Sequence, residues 1–346
     1  HGRTDMEACE EETLAFQRRL YCRTPLVESL LLQRRHLPEV PVYLKLENTQ
    51  HTGSFKLRGL SRLCQHAVQA GYDTVVTSSG GNAGLAVAFS ARKLGITARV
   101  YVTRRTSPSV VETLRREGAH VVVTGSVWDE ADREARRFVQ EHGGFYCHPF
   151  DDPVVWSGHA SMIEEVAEDL HNEGLGAPSA VVTCVGGGGL LCGIVEGMHR
   201  VGWRHVPVLA METRGAASFR AAWHSGRPVA IADITSVAIT LGAKKVCQRV
   251  VDYIREHPLI SELVTDRVAV QACFQFADDH RMLVEPSCGA ALSAVYSGLA
   301  SRLYREGRLE ASPRRPLVAI VCGGSAATLP QLEDWKRVAD GKDEPE

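Results

Sequence analysis

Four short stretches hold residues whose types and spacing could do chemistry. Thr52-Gly53-Ser54-Phe55-Lys56-Leu57-Arg58-Gly59 sets a lysine beside apolar neighbours. Desolvation lowers an amine's pKa and frees it to attack a carbonyl. The same octapeptide also reads as a surface lysine at a helix start, the commoner setting for Lys. Ser78-Ser79-Gly80-Gly81-Asn82-Ala83-Gly84 lies between an apolar run and an Ala-rich segment. N–H groups exposed there would bind a carboxylate or phosphate, but Ser and Asn equally make a plain helix cap. Gly186-Gly187-Gly188-Gly189-Leu190 sets four glycines in a row. Their backbone entropy is costly, which points to close approach of a ligand such as a phosphate, with a flexible turn as the alternative. No Gly-Lys-Ser/Thr follows, so this is no Walker loop, and a leucine stands where GxGxxG needs its last glycine. Cys322-Gly323-Gly324-Ser325 closes another apolar run. A thiol there either meets a ligand or packs as a small hydrophobe.

The elements that must position these stretches alternate along the chain. Apolar β-branched runs at 74–79, 98–103, 120–125, 180–185, 207–213 and 317–322 read as strands. Helical patterns follow most of them: one to Leu94, then 109–118, 128–142 and 190–200. Continuous apolar strands suit parallel sheets buried on both faces, and strands alternating with helices predict a doubly wound α/β fold. Ligands of such sheets bind beyond the strands' carboxyl ends, where the stretches at 78–84, 186–190 and 322–325 fall. The helix Asp129–Phe138 (DEADREARRF) reads as a solvated face with i,i+4 pairs.

Composition excludes several classes. The 346 residues are 44% hydrophobic and 23% charged, ample for packed domains. A net charge of −2 gives no general attraction to nucleic acid or to an anionic membrane. The longest apolar run, PLVAIVC at 316–322, is far short of a membrane span. Ten scattered cysteines without a CxxC pair predict free thiols and a reducing compartment, most simply the cytosol. Fourteen histidines, spread singly and without HExxH, read as structural or surface groups. HGRTD ahead of Met6 reads as an addition, and the closing DGKDEPE as a frayed tail.

Taken together and in this order, the four stretches resemble the fold-type II, pyridoxal-phosphate-dependent serine/threonine dehydratases. Further matches are Thr24-Pro25-Leu26, Lys45-Leu46-Glu47-Asn48, Gly158-His159-Ala160-Ser161, Met211-Glu212-Thr213 and Val284-Glu285-Pro286. The resemblance runs from Thr24 to about Leu332, and Cys322 with EPSCGAALSAVYSG (285–298) is similar to the animal serine dehydratase and serine dehydratase-like branch. It implies a two-domain α/β enzyme of the tryptophan synthase β type, each domain a mostly parallel twisted sheet flanked by helices. Residues 1–50 and 156–346 would form the large domain that binds the cofactor phosphate, and 51–155 the small domain that carries the substrate-carboxylate turn.

The roles implied are these. Lys56 holds pyridoxal phosphate as a Schiff base and then takes the Cα proton. Phe55 lies against the cofactor ring, and Asn82 bonds its hydroxyl. Ser79, Gly80, Gly81, Asn82 and Ala83 bind the substrate and grip its carboxylate, which is positioning catalysis. Gly186, Gly187, Gly188, Gly189 and Leu190 cradle the phosphate. With no arginine in that loop, a phosphate of second pKa near ~6 keeps a proton for the departing hydroxyl. Cys322 faces the ring nitrogen as a weak donor and leaves the ring neutral, which favours elimination. Glu212, with carbonyls of Gly186, Ala216, Leu241 and Ala243, would hold a monovalent cation, by resemblance potassium. The implied activity is that of an L-serine and L-threonine ammonia-lyase, yielding pyruvate or 2-oxobutyrate with ammonia, in a homodimer. A racemase, a β-replacement enzyme and a weakly active cofactor-binding regulatory relative stay open. Gly80 speaks against the racemase, which carries serine there, and Gly80→Ala would raise turnover if a loose turn limits it.

Overall fold

The computed structural model describes residues 19–342, so Cys9, HGRTD and the final DEPE lie outside the described residues. The described residues divide into two compact units, one of Arg23–Phe55 with residues 150–342, the other of Lys56–Pro149 with residues 19–22.

The strands, in chain order, are β1 (Leu26–Glu28), β2 (Val42–Lys45), β3 (Thr74–Thr77), β4 (Thr97–Val102), β5 (His120–Val123), β6 (Phe145–Tyr146), β7 (Ala180–Cys184), β8 (Val208–Thr213), β9 (Leu259–Val264) and β10 (Leu317–Ile320). In the larger unit the sheet order is β1-β2-β10-β7-β8-β9. Only β1 runs antiparallel, pairing Leu26 with Lys45. The other neighbours are parallel, with Leu317 beside Ala180 and Cys184 beside Met211. Every residue of β2, β7, β8 and β10 is buried. Helices cover both faces of such strands, which is why those sequences run apolar without alternation. Pro153–Asn172 begins at a cap, where Asp152 Oδ1 accepts the Val154 N–H at 2.8 Å.

The smaller unit is a parallel sheet of order β5-β4-β3-β6. Its strands β3 and β4 supply Val76 and Tyr101 to a core that Ala131 and Ala135 complete from the helix Trp128–His142. That helix therefore has a packed face as well as a solvated one. The acidic tail also departs from expectation at its start. The helix Leu329–Asp340 reaches into it, and Lys342 Nζ donates to the Thr235 carbonyl at 2.5 Å. A hydrogen-bonded ammonium on a folded backbone replaces fraying there.

Candidate active site

In the smaller unit, β3 ends at Thr77 and leaves Ser78 to Gly81 as a turn into the helix Asn82–Leu94. The turn is tight: a Cβ on Gly84 would stand 1.8 Å from the Ser79 carbonyl oxygen. Ser79 Oγ accepts the Gly81 N–H at 3.3 Å. Gly80 faces the side chain of Thr106, whose Cγ2 and Oγ1 both lie 2.9 Å from where a Cβ would stand. An alanine at 80 would thus require the Thr106 side chain to shift. Lys56 opens the helix Lys56–Gln69 and is half-buried, with Nζ donating to the Pro149 carbonyl at 2.5 Å. Pro149 follows β6, the parallel neighbour of β3, and the two are joined by Cys147 N–H to Val76 O at 2.7 Å. Lys56 and the Ser79–Ala83 turn thus share the carboxyl ends of adjacent strands. His148, beside them in sequence, is held neutral: burial pushes its pKa down to about 4.

In the larger unit, three neighbouring parallel strands end in the predicted residues. Cys322 follows β10, Gly186 follows β7 and Glu212 lies at the end of β8. Gly188, at φ +100°, caps the helix Gly189–Arg200. The first amides of that helix precede any intrahelical acceptor and point beyond its N-terminus. Phe150 packs under the loop, its ring 2.4 Å from a hypothetical Cβ on Gly187. Cys247 donates its N–H to the Gly187 carbonyl at 3.0 Å. Phe55 is tied to Cys322 by backbone, N–H to carbonyl at 3.2 Å, and its ring meets His159 edge-on at 5.0 Å.

The Cys322 thiol lies 3.5 Å from that of Cys184 and is buried. Contact with Cys184 and Cys288, together with burial, holds it well above the ordinary thiol range, so it is a protonated donor. Glu212 is fully buried rather than a surface carboxylate. Its Oε1 accepts the Phe219 N–H at 2.7 Å and its Oε2 the Arg220 N–H at 2.8 Å. Burial pushes its pKa up to about 8 against those two bonds. Gly186 packs on the turn Ile239–Leu241, and the Leu241 carbonyl accepts the Ala243 N–H at 2.8 Å. Ala216 lies in the turn Arg214–Ala216 just after β8.

These residues fit pyridoxal phosphate. Neutral amides at a helix N-terminus match a phosphate, a buried neutral thiol matches a pyridine nitrogen, and a half-buried lysine matches an aldehyde. Sequence reasoning missed Phe150, Cys184, Cys288, Thr106 and the groups behind Ser78. Cys288 lies within the stretch 285–298 but was given no role there, and the others reach their places through tertiary packing.

Two sheets of parallel strands with glycine turns and a lysine at their carboxyl ends define an α/β enzyme that binds a phosphorylated cofactor. The chain belongs to the pyridoxal-phosphate dependent enzyme family, whose model matches residues 18–323. It is 50% identical to the Mus musculus protein named serine dehydratase-like, over 90% of this chain and 93% of that one. It is 46% identical to the Mus musculus L-serine dehydratase/L-threonine deaminase, over 93% and 97% of the two chains. Among solved structures, a fungal L-serine ammonia-lyase from Rhizomucor miehei superposes with a TM-score of 0.85 at 34% identity, covering 93% of this chain and all of that one.

Proposed function

We propose that this protein is a pyridoxal-phosphate-dependent L-serine/L-threonine dehydratase, releasing ammonia with pyruvate or 2-oxobutyrate. The observation that carries the reading is the 46% identity, across 93% of the chain, to an L-serine dehydratase/L-threonine deaminase. Bound through its aldehyde, pyridoxal phosphate supplies an electron sink for the carbon bearing the amine. The chain's own residues do the rest. Lys56 Nζ attaches the cofactor and afterwards moves the Cα proton, a role supported by its half-buried setting against the Pro149 carbonyl. Ser79, Gly80, Gly81, Asn82 and Ala83 receive the substrate carboxylate, and Asn82 the ring hydroxyl. Gly186 to Leu190 hold the phosphate through neutral amides, and Phe55 borders the ring. Cys322 offers its thiol proton to the ring nitrogen without carrying charge. Gly80 supplies no acid–base group, which favours elimination over racemisation.

The same reading extends to potassium beside Glu212, where a buried carboxylate that accepts two backbone N–H bonds gains from a hard ion bound by oxygen. It extends to a homodimer, supported by Val27, Leu30 and Leu31, exposed by 41%, 49% and 42% at one edge of the larger sheet. It extends to the cytosol, supported by nine described cysteines that are all free. Purified protein given L-serine should form pyruvate, borohydride should fix the cofactor on Lys56 by peptide mapping, and exchanging potassium for sodium should lower activity. A label on Lys45, or conversion of L-serine chiefly to D-serine, would overturn the assignment.

A further inference from the structure

The helix Trp128–His142 turns one polar edge toward the start of the Ser79–Ala83 turn. Trp128 and Asp132 are four residues apart and share a helix face. Trp128 Nε1–H donates to the Ser78 carbonyl at 2.5 Å. Asp132 Oδ1 accepts the Ser78 hydroxyl at 2.6 Å and also the Tyr146 hydroxyl. Ser78 Oγ and Tyr146 OH are 3.1 Å apart. Arg136 Nε donates to Asp132 Oδ2 at 2.8 Å, and its guanidinium lies 4.1 Å over the Tyr146 ring. Burial pushes the Asp132 carboxyl up, but the bonds from Ser78, Tyr146 and Arg136 outweigh it and hold it below its usual range. Burial, then the Asp132 carboxylate, holds the Tyr146 phenol protonated. The donation is therefore one-way: two hydroxyls and a guanidinium converge on one ionised acceptor.

Helix packing alone does not call for this cluster, because Ala131 and Ala135 already seat the helix on Val76 and Tyr101. What the cluster adds is a grip on Ser78 at both its side chain and its carbonyl. Ser78 is the last fixed point before the chain turns, and its next peptide unit leads into Ser79. We infer that Asp132, with Trp128 and Tyr146, is a positioning group that fixes the orientation of the Ser79–Ala83 turn for a substrate carboxylate. The inference rests on the carboxylate reading of that turn. Charge-assisted hydrogen bonds are the strong ones, so neutralising the shared acceptor weakens all of its bonds at once, whereas removing a donor loses one.

The test uses the holoenzyme and its absorbance change on titration with glycine and with methylamine, which differ by the carboxylate alone. Asp132→Asn should raise the glycine dissociation constant by about tenfold while methylamine is unchanged. Amide hydrogen exchange in residues 79–84 should speed up in the same variant with or without cofactor. Trp128→Phe, which keeps a ring against the turn, should give a smaller change of the same kind and serves if Asp132→Asn does not fold. Equal weakening of both amines, or unchanged glycine binding and exchange, would overturn the inference. Ser79→Ala separates the two claims. If it abolishes the preference for glycine while Asp132→Asn leaves it intact, only the positioning role falls. If the unsubstituted enzyme binds both amines alike, the carboxylate reading falls, and the inference with it.

Discussion

At position 80 a Cβ would stand 2.9 Å from two side-chain atoms of Thr106, which must shift to admit it. Gly80→Ala should therefore destabilise by about 1–3 kcal/mol through overpacking. Removing both offending atoms in Gly80→Ala/Thr106→Ala should return most of that loss. Melting temperatures of the two single variants and the double close the cycle, and simple additivity would show the two positions uncoupled. Cys322 is constrained differently, by thiols rather than by volume. Cys322→Ser keeps a neutral donor beside Cys184 and should keep most activity. Cys322→Asp sets an unpaired carboxylate among buried thiols, where charge is costly. It should lower the melting temperature and cut pyruvate formation by about tenfold or more, a barrier change of at least ~1.4 kcal/mol. Equal behaviour of the two variants would remove Cys322 from the ring-nitrogen role.

At the scale of elements, the loop between β7 and the helix Gly189–Arg200 depends on one left-handed residue. Gly188 sits at φ +100°, and a Cβ there would stand 2.2 Å from Val250 Cγ2. Gly188→Ala combines backbone strain with a clash against the helix Gln248–Glu256, together on the order of 2–5 kcal/mol. The cofactor-free protein should melt lower, and gel filtration should strip pyridoxal phosphate from the variant sooner than from the parent. Retention equal to the parent's would mean that the loop does not set the phosphate cradle. The four-glycine run was legible from sequence as a turn between a strand and a helix. The partners that demand glycine, Phe150 and Val250, come from 36 or more residues away and were not.

Across the whole molecule, pH acts through histidines that folding takes out of water. Burial pulls His257 and His148 down to about 4 from an ordinary 6.5. Between those values the unfolded chain binds protons that the native state does not, so stability rises with pH over that window. It is fully present above about 6.5 and is lost as pH falls toward 4. Urea midpoints measured from pH 6.5 down to 4.5 should fall more steeply in the parent than in His257→Asn, which isolates the histidine's share from the opposing one of Glu212. A slope unchanged in His257→Asn would assign the acid sensitivity to other groups.

The sequence by itself determined the local order of this protein. Strand periodicity, glycine turns and the lysine are encoded in contiguous residues, so the helix 128–142 and the strands at 74–77 and 317–320 were readable without a fold. Short or charged strands were not. Val42–Lys45 ends in a lysine that is fully buried, with Nζ bonded to Glu165 and to the Thr24 carbonyl, both at 2.7 Å. Nothing nearby in the chain announces that partner, 120 residues away. Asp132 shows the same limit: as one charge in a charged helix it read as solvated, until β3 and β6 brought Ser78 and Tyr146 onto it. Glu212 is a further case, a carboxylate buried at the end of a strand interior to its sheet, with its amide partners at the start of the helix Ser218–Ser225. Chemistry carried by adjacent residues is written in the sequence. Chemistry that depends on desolvation and on distant donors is decided by the tertiary structure, because only packing removes the water and brings those partners within reach.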